Sequence, residues 1–191
     1  MKREIDLQYA NDKFLDWTNS LTTIPNKEEK TILELGCGVG TQYLCNEFKE
    51  VYSFEVFDTK EWFDKSTQLL SKWDNWRGIF YTFEELKLWE AESQLRESNG
   101  RIRNQNGLKK FYTKLNEFVD LSTIDVVFVD QSFHFRAETV LYFKDKGIPY
   151  IFAHDTKHGS QMYGWDLIGN DEEYERKGFD SHQGVTYWIK K

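Results

Sequence analysis

The sequence is poor in the residues that mark linkers, disulfide frameworks and membrane spans. It has two prolines, two cysteines and no Ser/Gly-rich stretch among its 191 residues. The cysteines, Cys37 and Cys45, fit neither a C-x-x-C pattern nor a zinc-ligand spacing. No apolar run is long enough to cross a bilayer, and no signal or transit peptide is visible. We therefore expect one domain over residues 1–191, a reducing cytoplasmic environment and no membrane partner.

Positive charge is also scarce. The 25 Lys and Arg residues are outnumbered by 32 Asp and Glu residues, which gives a formal net charge of −7. A nucleic-acid surface needs a basic face to neutralise phosphates. The charge balance therefore argues against a nucleic-acid partner.

Short apolar runs alternate with amphipathic segments along the chain. Strands are predicted at residues 31–35, 51–57, 78–83, 124–130, 148–153, 178–181 and 184–190. Helices are predicted at residues 4–20, 41–48, 58–73, 84–98, 108–119 and 137–146. In the third of these helices, Trp62 and Leu69 are expected on the buried face. The alternation predicts an α/β fold with a mostly parallel sheet and helices on both faces.

Three segments depart from this simple alternation. Residues 1–30 are expected to form a leading helix and a polar connector. Residues 84–120 are expected to form a helical insertion with a polar break around residues 98–107. The acidic residues at 171–175 predict the exposed start of a further helix.

The first strand ends in an acid followed by three alternating glycines, ELGCGVG at residues 34–40. Gly36, Gly38 and Gly40 allow the main chain to approach a ligand closely at the carboxyl end of a parallel sheet, where ligands bind. A dinucleotide pyrophosphate would disfavour the carboxylate of Glu34. S-adenosylmethionine (SAM) carries a sulfonium and an ammonium instead. The turn therefore favours SAM over the alternative of an NAD-dependent oxidoreductase.

Three further residues complete the expected cofactor contacts near this turn. Glu55 ends the second strand, 19 residues after Gly36. An acid at about this distance suits the two donating hydroxyls of a ribose. Tyr81, near the end of the third strand, is expected beside the adenine. Cys37 is expected to pack inside the turn as a small residue in contact with the cofactor.

The fourth and fifth strands bring acids and histidines to the same edge of the sheet. Asp130 ends the fourth strand and faces the cofactor, His134 follows four residues later, and His154 and Asp155 end the fifth strand. A histidine can accept the proton of an alcohol or phenol near neutral pH. We expect His134, oriented by Asp130, to be this base. His154 is the second candidate, and a purely structural role is the alternative for either histidine.

Two stretches resemble known motifs. ELGCGVG is similar to the first motif of the class I SAM-dependent methyltransferases. FVDQSFHFRAE, followed by a strand and HDT, resembles the branch that includes the macrocin-type O-methyltransferases. The resemblance covers residues 31–191 and implies a Rossmann-like seven-stranded sheet with an antiparallel last strand. It also implies Asp130 and Asp155 as ligands of a divalent metal such as Mg²⁺, and His134 as the base.

The chain departs from that pattern at three positions. Gln131 and Ser132 stand where small, glycine-like residues are usual, and His154 replaces the first acid of an acidic pair. Because Mg²⁺ prefers oxygen ligands, the histidine weakens the metal expectation.

The predicted function is SAM-dependent methylation, on oxygen, of a small-molecule acceptor. The alternative from another class is a non-catalytic SAM-binding protein, regulatory or a partner subunit, with an intact glycine turn beside a degraded acceptor site. No Asn/Asp-Pro-Pro-Tyr/Phe motif or Pro-Cys pair is present, which argues against nucleic-acid methylation. A homo-oligomer is compatible with the sequence.

Overall fold

Seven strands form one sheet in the computed structural model, which describes residues 12–88, 103–131, 134–157, 160–179 and 184–191. The strands are β1 Thr31–Leu35, β2 Glu50–Phe57, β3 Trp76–Thr82, β4 Val126–Val129, β5 Tyr150–His154, β6 Tyr174–Phe179 and β7 Val185–Lys190. The helices are α1 Asp12–Leu21, α2 Thr41–Glu47, α3 Glu61–Leu70, α4 Gln105–Phe118, α5 Arg136–Asp145 and α6 Ser160–Tyr163. Short 3₁₀ turns lie at Lys27–Glu29, Leu121–Thr123 and Trp165–Leu167.

The order of the strands in the sheet is β3-β2-β1-β4-β5-β7-β6. Strand β1 pairs in parallel with β2 on one side and with β4 on the other. The chain thus reverses its direction of winding at β1, and a cleft forms at such a point outside the carboxyl ends of the strands. Strand β7 is antiparallel to both β5 and β6. The predicted Rossmann-like sheet of seven strands, mostly parallel with an antiparallel last strand, is confirmed.

Strand alternation divides the core between the two faces of the sheet. In β1, Ile32 packs with buried residues of α1, α2 and α3. Its neighbours Leu33 and Leu35 pack on the opposite face with α4 and α5. All five residues of β1 are buried, as expected for a central parallel strand covered on both sides. The predicted helices on both faces are confirmed.

The insertion between β3 and β4 differs from the prediction. Residues 84–88 form a turn rather than a helix start, and Leu86 and Leu88 in that turn are buried in the core. Helix α4 then begins at Gln105, inside the predicted polar break, because the Asn104 side chain accepts a hydrogen bond from the Gly107 N–H at its first turn. Residues 4–11 of the predicted leading helix and residues 89–102 lie outside the described residues.

The predicted helix start at residues 171–175 is wrong. Strand β6 begins at Tyr174 instead, four residues before the predicted strand. Tyr174 is buried, and its hydroxyl donates to the Ile148 carbonyl. Asp171 pairs with the buried Lys144 at 3.0 Å. These contacts with α5 and with the connection between α5 and β5 hold the segment extended. A local charge pattern does not reveal such long-range partners.

None of the helices in the described part of the chain combines the length and the apolar character needed to span a membrane.

Candidate functional site

A cavity of about 540 Å³ opens at the carboxyl end of β1. The glycine turn forms one wall of this cavity, which we call the cleft. Three carboxylates line it: Glu34, Glu55 and Asp130. Four aromatic rings line it as well: Trp17, Phe57, Trp62 and Phe128. Among the described residues that line the cleft there is no Lys, Arg or His, so its walls are acidic and aromatic.

The glycines of the turn are required by close contacts. Gly36 has a φ of +97°, and a Cβ there would lie 3.1 Å from the Asp130 carbonyl oxygen. A Cβ at Gly38 would press on the Trp62 ring, and a Cβ at Gly40 would collide with the Trp17 ring. The turn is therefore enclosed by β4 and by aromatic residues of α1 and α3.

The carboxylate of Glu34 is held by hydrogen bonds from neutral groups. Among the described residues, none of the groups that donate to it is a cation. One carboxylate oxygen accepts hydrogen bonds from the Thr41 and Ser53 hydroxyls. Each hydroxyl is itself fixed, since Thr41 accepts from the Gly38 N–H and Ser53 accepts from the Trp76 indole. Burial raises the pKa of Glu34 to about 8, against the opposing effect of the two hydroxyl bonds. A cationic ligand would favour the ionised form of this side chain.

Glu55 ties the second strand to the glycine turn. One of its oxygens accepts from the Cys37 N–H at 2.8 Å, and the other accepts from the Val56 N–H at 2.9 Å. Burial raises the pKa of Glu55 to about 7, although these main-chain bonds pull it down. Burial also raises the pKa of the Cys37 thiol, which therefore stays protonated inside the turn. The ribose contact expected of Glu55 stays a prediction.

The aromatic walls of the cleft were missed by the sequence interpretation. Trp62 was expected on the buried face of its helix, but 45% of its surface is exposed. Its indole donates to the Cys37 carbonyl at 2.7 Å, beside the turn. Trp62 lies in the first turn of α3, next to the carboxyl end of β2. That position, rather than its helical spacing, is the signal that could have identified it.

Tyr81 lies on the other side of the sheet from the position expected for it. Its ring packs 5.5 Å from that of Phe54, in the core that α4 covers. The register of β2 and β3 pairs Glu55 with Phe80, so Phe80 shares the face of Glu55. Tyr81 is absent from the described residues that line the cleft. The adenine contact expected of Tyr81 stays a prediction, and in this structure Phe80 is the residue of β3 that shares the face of Glu55.

Next to the cleft, a cluster of polar side chains connects the ends of β4 and β5. Nη1 of Arg136 lies 3.0 Å from a carboxylate oxygen of Asp130 and 3.0 Å from one of Asp155. Nδ1 of His154 lies 3.4 Å from an oxygen of each of the same two acids. We call these four residues the acid–arginine cluster. Asp130, with 41% of its side chain exposed, belongs both to this cluster and to the cleft.

Two members of the cluster depart from ordinary values, His154 in its pKa and Asp155 in its backbone conformation. Burial lowers the pKa of His154, but the hydrogen bond and charge of Asp130, together with the charge of Asp155, outweigh it and raise the pKa above its usual value. Asp155 adopts a left-handed backbone conformation with a φ of +59°. The Trp165 indole donates to its carbonyl at 3.2 Å. Strained backbone of this kind is common where a side chain is held for a function.

The cluster does not fit the divalent metal that the resemblance implied. A ring nitrogen of His154 and one oxygen each of Asp130 and Asp155 lie within 4.8 Å of one another, a spacing that would admit an ion. However, the Arg136 guanidinium already contacts both carboxylates. The imidazole is also a poor ligand for Mg²⁺. We therefore assign no step to a metal.

His134 lies in the loop between β4 and α5, and Ser132 and Phe133 of that loop lie outside the described residues. Its half-buried ring meets the Tyr163 ring edge-on, with 6.2 Å between centroids. Asp130 faces Arg136 and His154. The orientation of His134 by Asp130 stays a prediction.

No family model matches the sequence, and no curated protein matches it. Solved structures do share its architecture. One is the fibrillarin of Aeropyrum pernix with natively bound SAM, with a TM-score of 0.60, 16% identity and coverage of 93% of this chain and 76% of that one. The chain has the Rossmann-like fold of the SAM-dependent methyltransferases.

Two structures that are named as O-methyltransferases also share this fold. A putative caffeoyl-CoA O-methyltransferase from Staphylococcus aureus has a TM-score of 0.56 and 16% identity, over 92% of this chain and 83% of that one. An O-methyltransferase from Bacillus cereus in complex with S-adenosylhomocysteine (SAH) has a TM-score of 0.55 and 14% identity, over 99% and 84%. At these identities the likeness establishes the fold, and the likeness to the macrocin-type branch stays a prediction.

Proposed function

We propose that this chain is a SAM-dependent methyltransferase that acts on an oxygen of a small-molecule acceptor. One observation carries the proposal: the cleft at the glycine turn is lined by three acids, and by no basic side chain among the described residues. SAM presents an ammonium and a sulfonium and has no phosphate. A dinucleotide would bring its pyrophosphate against these carboxylates without a cationic side chain to balance it.

Each wall of the cleft has a role in holding SAM. Glu34, fixed by two hydroxyls, supplies negative charge at the turn. Glu55 receives the ribose hydroxyls beside the turn that it already braces through the Cys37 N–H. The rings of Trp17 and Trp62 shield the ligand from water on the two sides of the glycines. The Bacillus cereus enzyme, crystallised with SAH, supports the choice of ligand.

The methyl group is transferred by an in-line displacement. The acceptor oxygen attacks the methyl carbon, the carbon–sulfur bond breaks, and its electron pair stays on sulfur. Most of the rate comes from holding the two reactants in contact. The acceptor proton passes to His134, which lies on the loop directly after the strand that carries Asp130. Asp130 lines the cleft and belongs to the acid–arginine cluster, so the acceptor meets the methyl group beside it.

Calorimetric titration of the protein with SAM and with SAH tests the cofactor assignment. We expect saturable binding of both, and no binding of NAD. The next step is incubation with methyl-labelled SAM and a small-molecule extract, where label is expected in an acceptor. Absence of SAM binding would refute the proposal. Binding of SAM without label in any acceptor would instead favour the non-catalytic SAM-binding protein.

The base is tested by His134→Ala. We expect turnover to fall roughly 10²–10⁴-fold, the usual contribution of a general base, while the affinity for SAM stays unchanged. His154→Asn is the matched comparison, because it removes the other histidine at the same edge of the sheet. Full turnover in His134→Ala together with loss in His154→Asn would move the role of base to His154.

A further inference from the structure

The acid–arginine cluster already contains a cation. We propose that the Arg136 guanidinium is the fixed positive charge of this site, and that it takes the place of a divalent metal between Asp130 and Asp155. The placement of the guanidinium stands on geometry. Its consequence for turnover, independence from divalent metal, rests on the proposed methyltransferase function.

The guanidinium is bonded to the ends of two neighbouring strands. Besides the two carboxylates, its Nε donates to the Gln131 carbonyl at 2.8 Å and its Nη1 donates to the His154 carbonyl at 3.2 Å. Its Nη2 reaches the Asp130 carbonyl at 3.5 Å. Main-chain acceptors after β4 and at the end of β5 thus fix the planar group in one orientation. A lysine could not reproduce this fork.

Space and charge both oppose a metal in the same position. A divalent ion bound by both carboxylates would lie about 2.0–2.6 Å from an oxygen of each. Nη1 of Arg136 lies 3.0 Å from Oδ1 of Asp130 and 3.0 Å from Oδ2 of Asp155, so it already engages an oxygen of each acid. Arginine does not deprotonate in proteins, and its side chain here is 6% exposed. An ion that used the same two oxygens would have to expel the guanidinium and leave its carbonyl partners without a donor. An ion on the side of His154 would share Asp130 with this fixed positive charge, which opposes its binding.

The position of Arg136 in its helix supports the same inference. It is the first residue of α5, where the helix dipole disfavours a positive charge. The guanidinium is held there by the two acids, and it lies over the Tyr163 ring with 4.4 Å from Cζ to the centroid. The helix itself gains nothing from a cation at this end. The presence of an arginine at this position is therefore explained by the two acids whose charge it balances.

Arg136 acts through the groups that it holds. It keeps the Asp130 carboxylate at the border of the cleft, and it balances the charge of two acids beside His154. It is a positioning residue, because its contacts are with the protein.

A metal in this place would be lost to chelators. A guanidinium is not, so methyl transfer should continue at an unchanged rate in the presence of EDTA.

The metal-binding test needs no turnover. Electron paramagnetic resonance of Mn²⁺ is recorded with the wild-type protein and with Arg136→Ala. We expect no specific binding of Mn²⁺ by the wild-type protein. We expect Arg136→Ala to bind Mn²⁺ with an affinity at least tenfold above any that the wild type shows, because removal of the guanidinium leaves His154 and the two acids together. Arg136→Gln is the second variant, in case Ala destabilises the fold. Wild-type binding of Mn²⁺ that Asp155→Asn abolishes would overturn the proposal, and so would failure of folded Arg136 variants to bind Mn²⁺.

Chemical rescue separates positioning from mere packing. We expect added guanidinium ion, at millimolar concentration, to raise the melting temperature of Arg136→Ala but not that of the wild type, and to restore part of its methyl transfer. The absence of any such effect would count against a cation role. SAH titration of the wild-type protein reports the cofactor site independently. Absence of SAH binding by the wild type would refute the proposed function and leave the metal result standing.

Discussion

At the scale of single residues, Glu34 shows how this protein holds negative charge where water is scarce. Its surface is only 5% exposed, yet the groups that bond to it are two hydroxyls rather than a cation. Hydroxyls offset part of the cost of burying a carboxylate, and the remainder appears as a pKa raised to about 8. Glu34 is therefore suited to a cationic ligand, but its burial lowers the free energy of unfolding of the unliganded protein.

Glu34→Gln should therefore stabilise the unliganded protein and damage its function. At pH 8 we expect a higher melting temperature for the variant. The reason is that a neutral amide replaces the buried carboxyl group of Glu34, which is partly ionised at this pH. We expect SAM affinity to fall roughly tenfold or more, in line with about 1.5–3 kcal/mol for a hydrogen bond to a charged group. Differential scanning fluorimetry and calorimetry measure the two effects.

The control for this variant is Glu28→Gln, which changes an exposed carboxylate elsewhere. It should leave both the melting temperature and the SAM affinity close to the wild-type values. Tight SAM binding by Glu34→Gln would remove Glu34 from the cofactor site.

At the scale of elements, the turn between β1 and α2 is shaped by its neighbours as much as by its own glycines. The Glu55 carboxylate of β2 receives the Cys37 N–H, while the Trp62 indole of α3 donates to the carbonyl of the same residue. Trp17 of α1 packs on Gly40 from the other side. The turn is thus pre-formed, and a ligand can bind without the cost of ordering it.

Gly36→Ala tests this enclosure. The φ of +97° disfavours any side chain, and a Cβ would lie 3.1 Å from the Asp130 carbonyl oxygen. We expect the free energy of unfolding to fall by about 1–3 kcal/mol, measured by urea denaturation. Gly169→Ala is the matched control, since a Cβ there meets nothing within 4 Å. Equal stability of the two variants would mean that the turn is not strained as described.

The elements show where the sequence was informative. The strand at residues 31–35 and the glycine turn were predictable, because apolar runs and glycines act locally. The face that Tyr81 takes was not predictable, because the end of a strand does not say on which side of the sheet a side chain lies. Arg136 was missed because its partners, Asp130 and Asp155, come together only when β4 and β5 pair. The fold could be predicted, but the partners of charged groups within the site could not.

At the scale of the whole molecule, the fold gathers acids from distant parts of the chain. Glu34, Glu55 and Asp130 belong to three different segments, and the strand order β2-β1-β4 brings them to one edge. Each of the two glutamates feels the charge of Asp130, which adds to the effect of burial on its pKa. The concentration of acid is therefore a property of the topology.

This concentration predicts how stability depends on pH. The pKa values of Glu34 and Glu55 in the folded protein, about 8 and about 7, lie above the ordinary value of 4.5. Between pH 4.5 and 8 the folded state binds more protons than the unfolded state, so the free energy of unfolding falls as the pH rises. The fall should be on the order of several kcal/mol and should end above pH 8.

Urea denaturation at intervals between pH 5 and pH 9 measures this slope. The raised pKa of His154 acts in the same direction. Glu34→Gln should flatten the profile, and saturating SAM should do the same, because the cation is then supplied by the ligand. A wild-type profile that rises from pH 6 to pH 8 would contradict the expected state of the two acids.

The acidic lining of the cleft also affects the release of the spent cofactor. With SAM as ligand, transfer of the methyl group leaves a thioether in place of a sulfonium, so the occupant of the cleft loses one positive charge at the moment of reaction. The carboxylates of Glu34, Glu55 and Asp130 then hold a less complementary molecule. If the chain acts as proposed, we therefore expect the same walls to hold the demethylated product less tightly than the donor, which would favour its exchange.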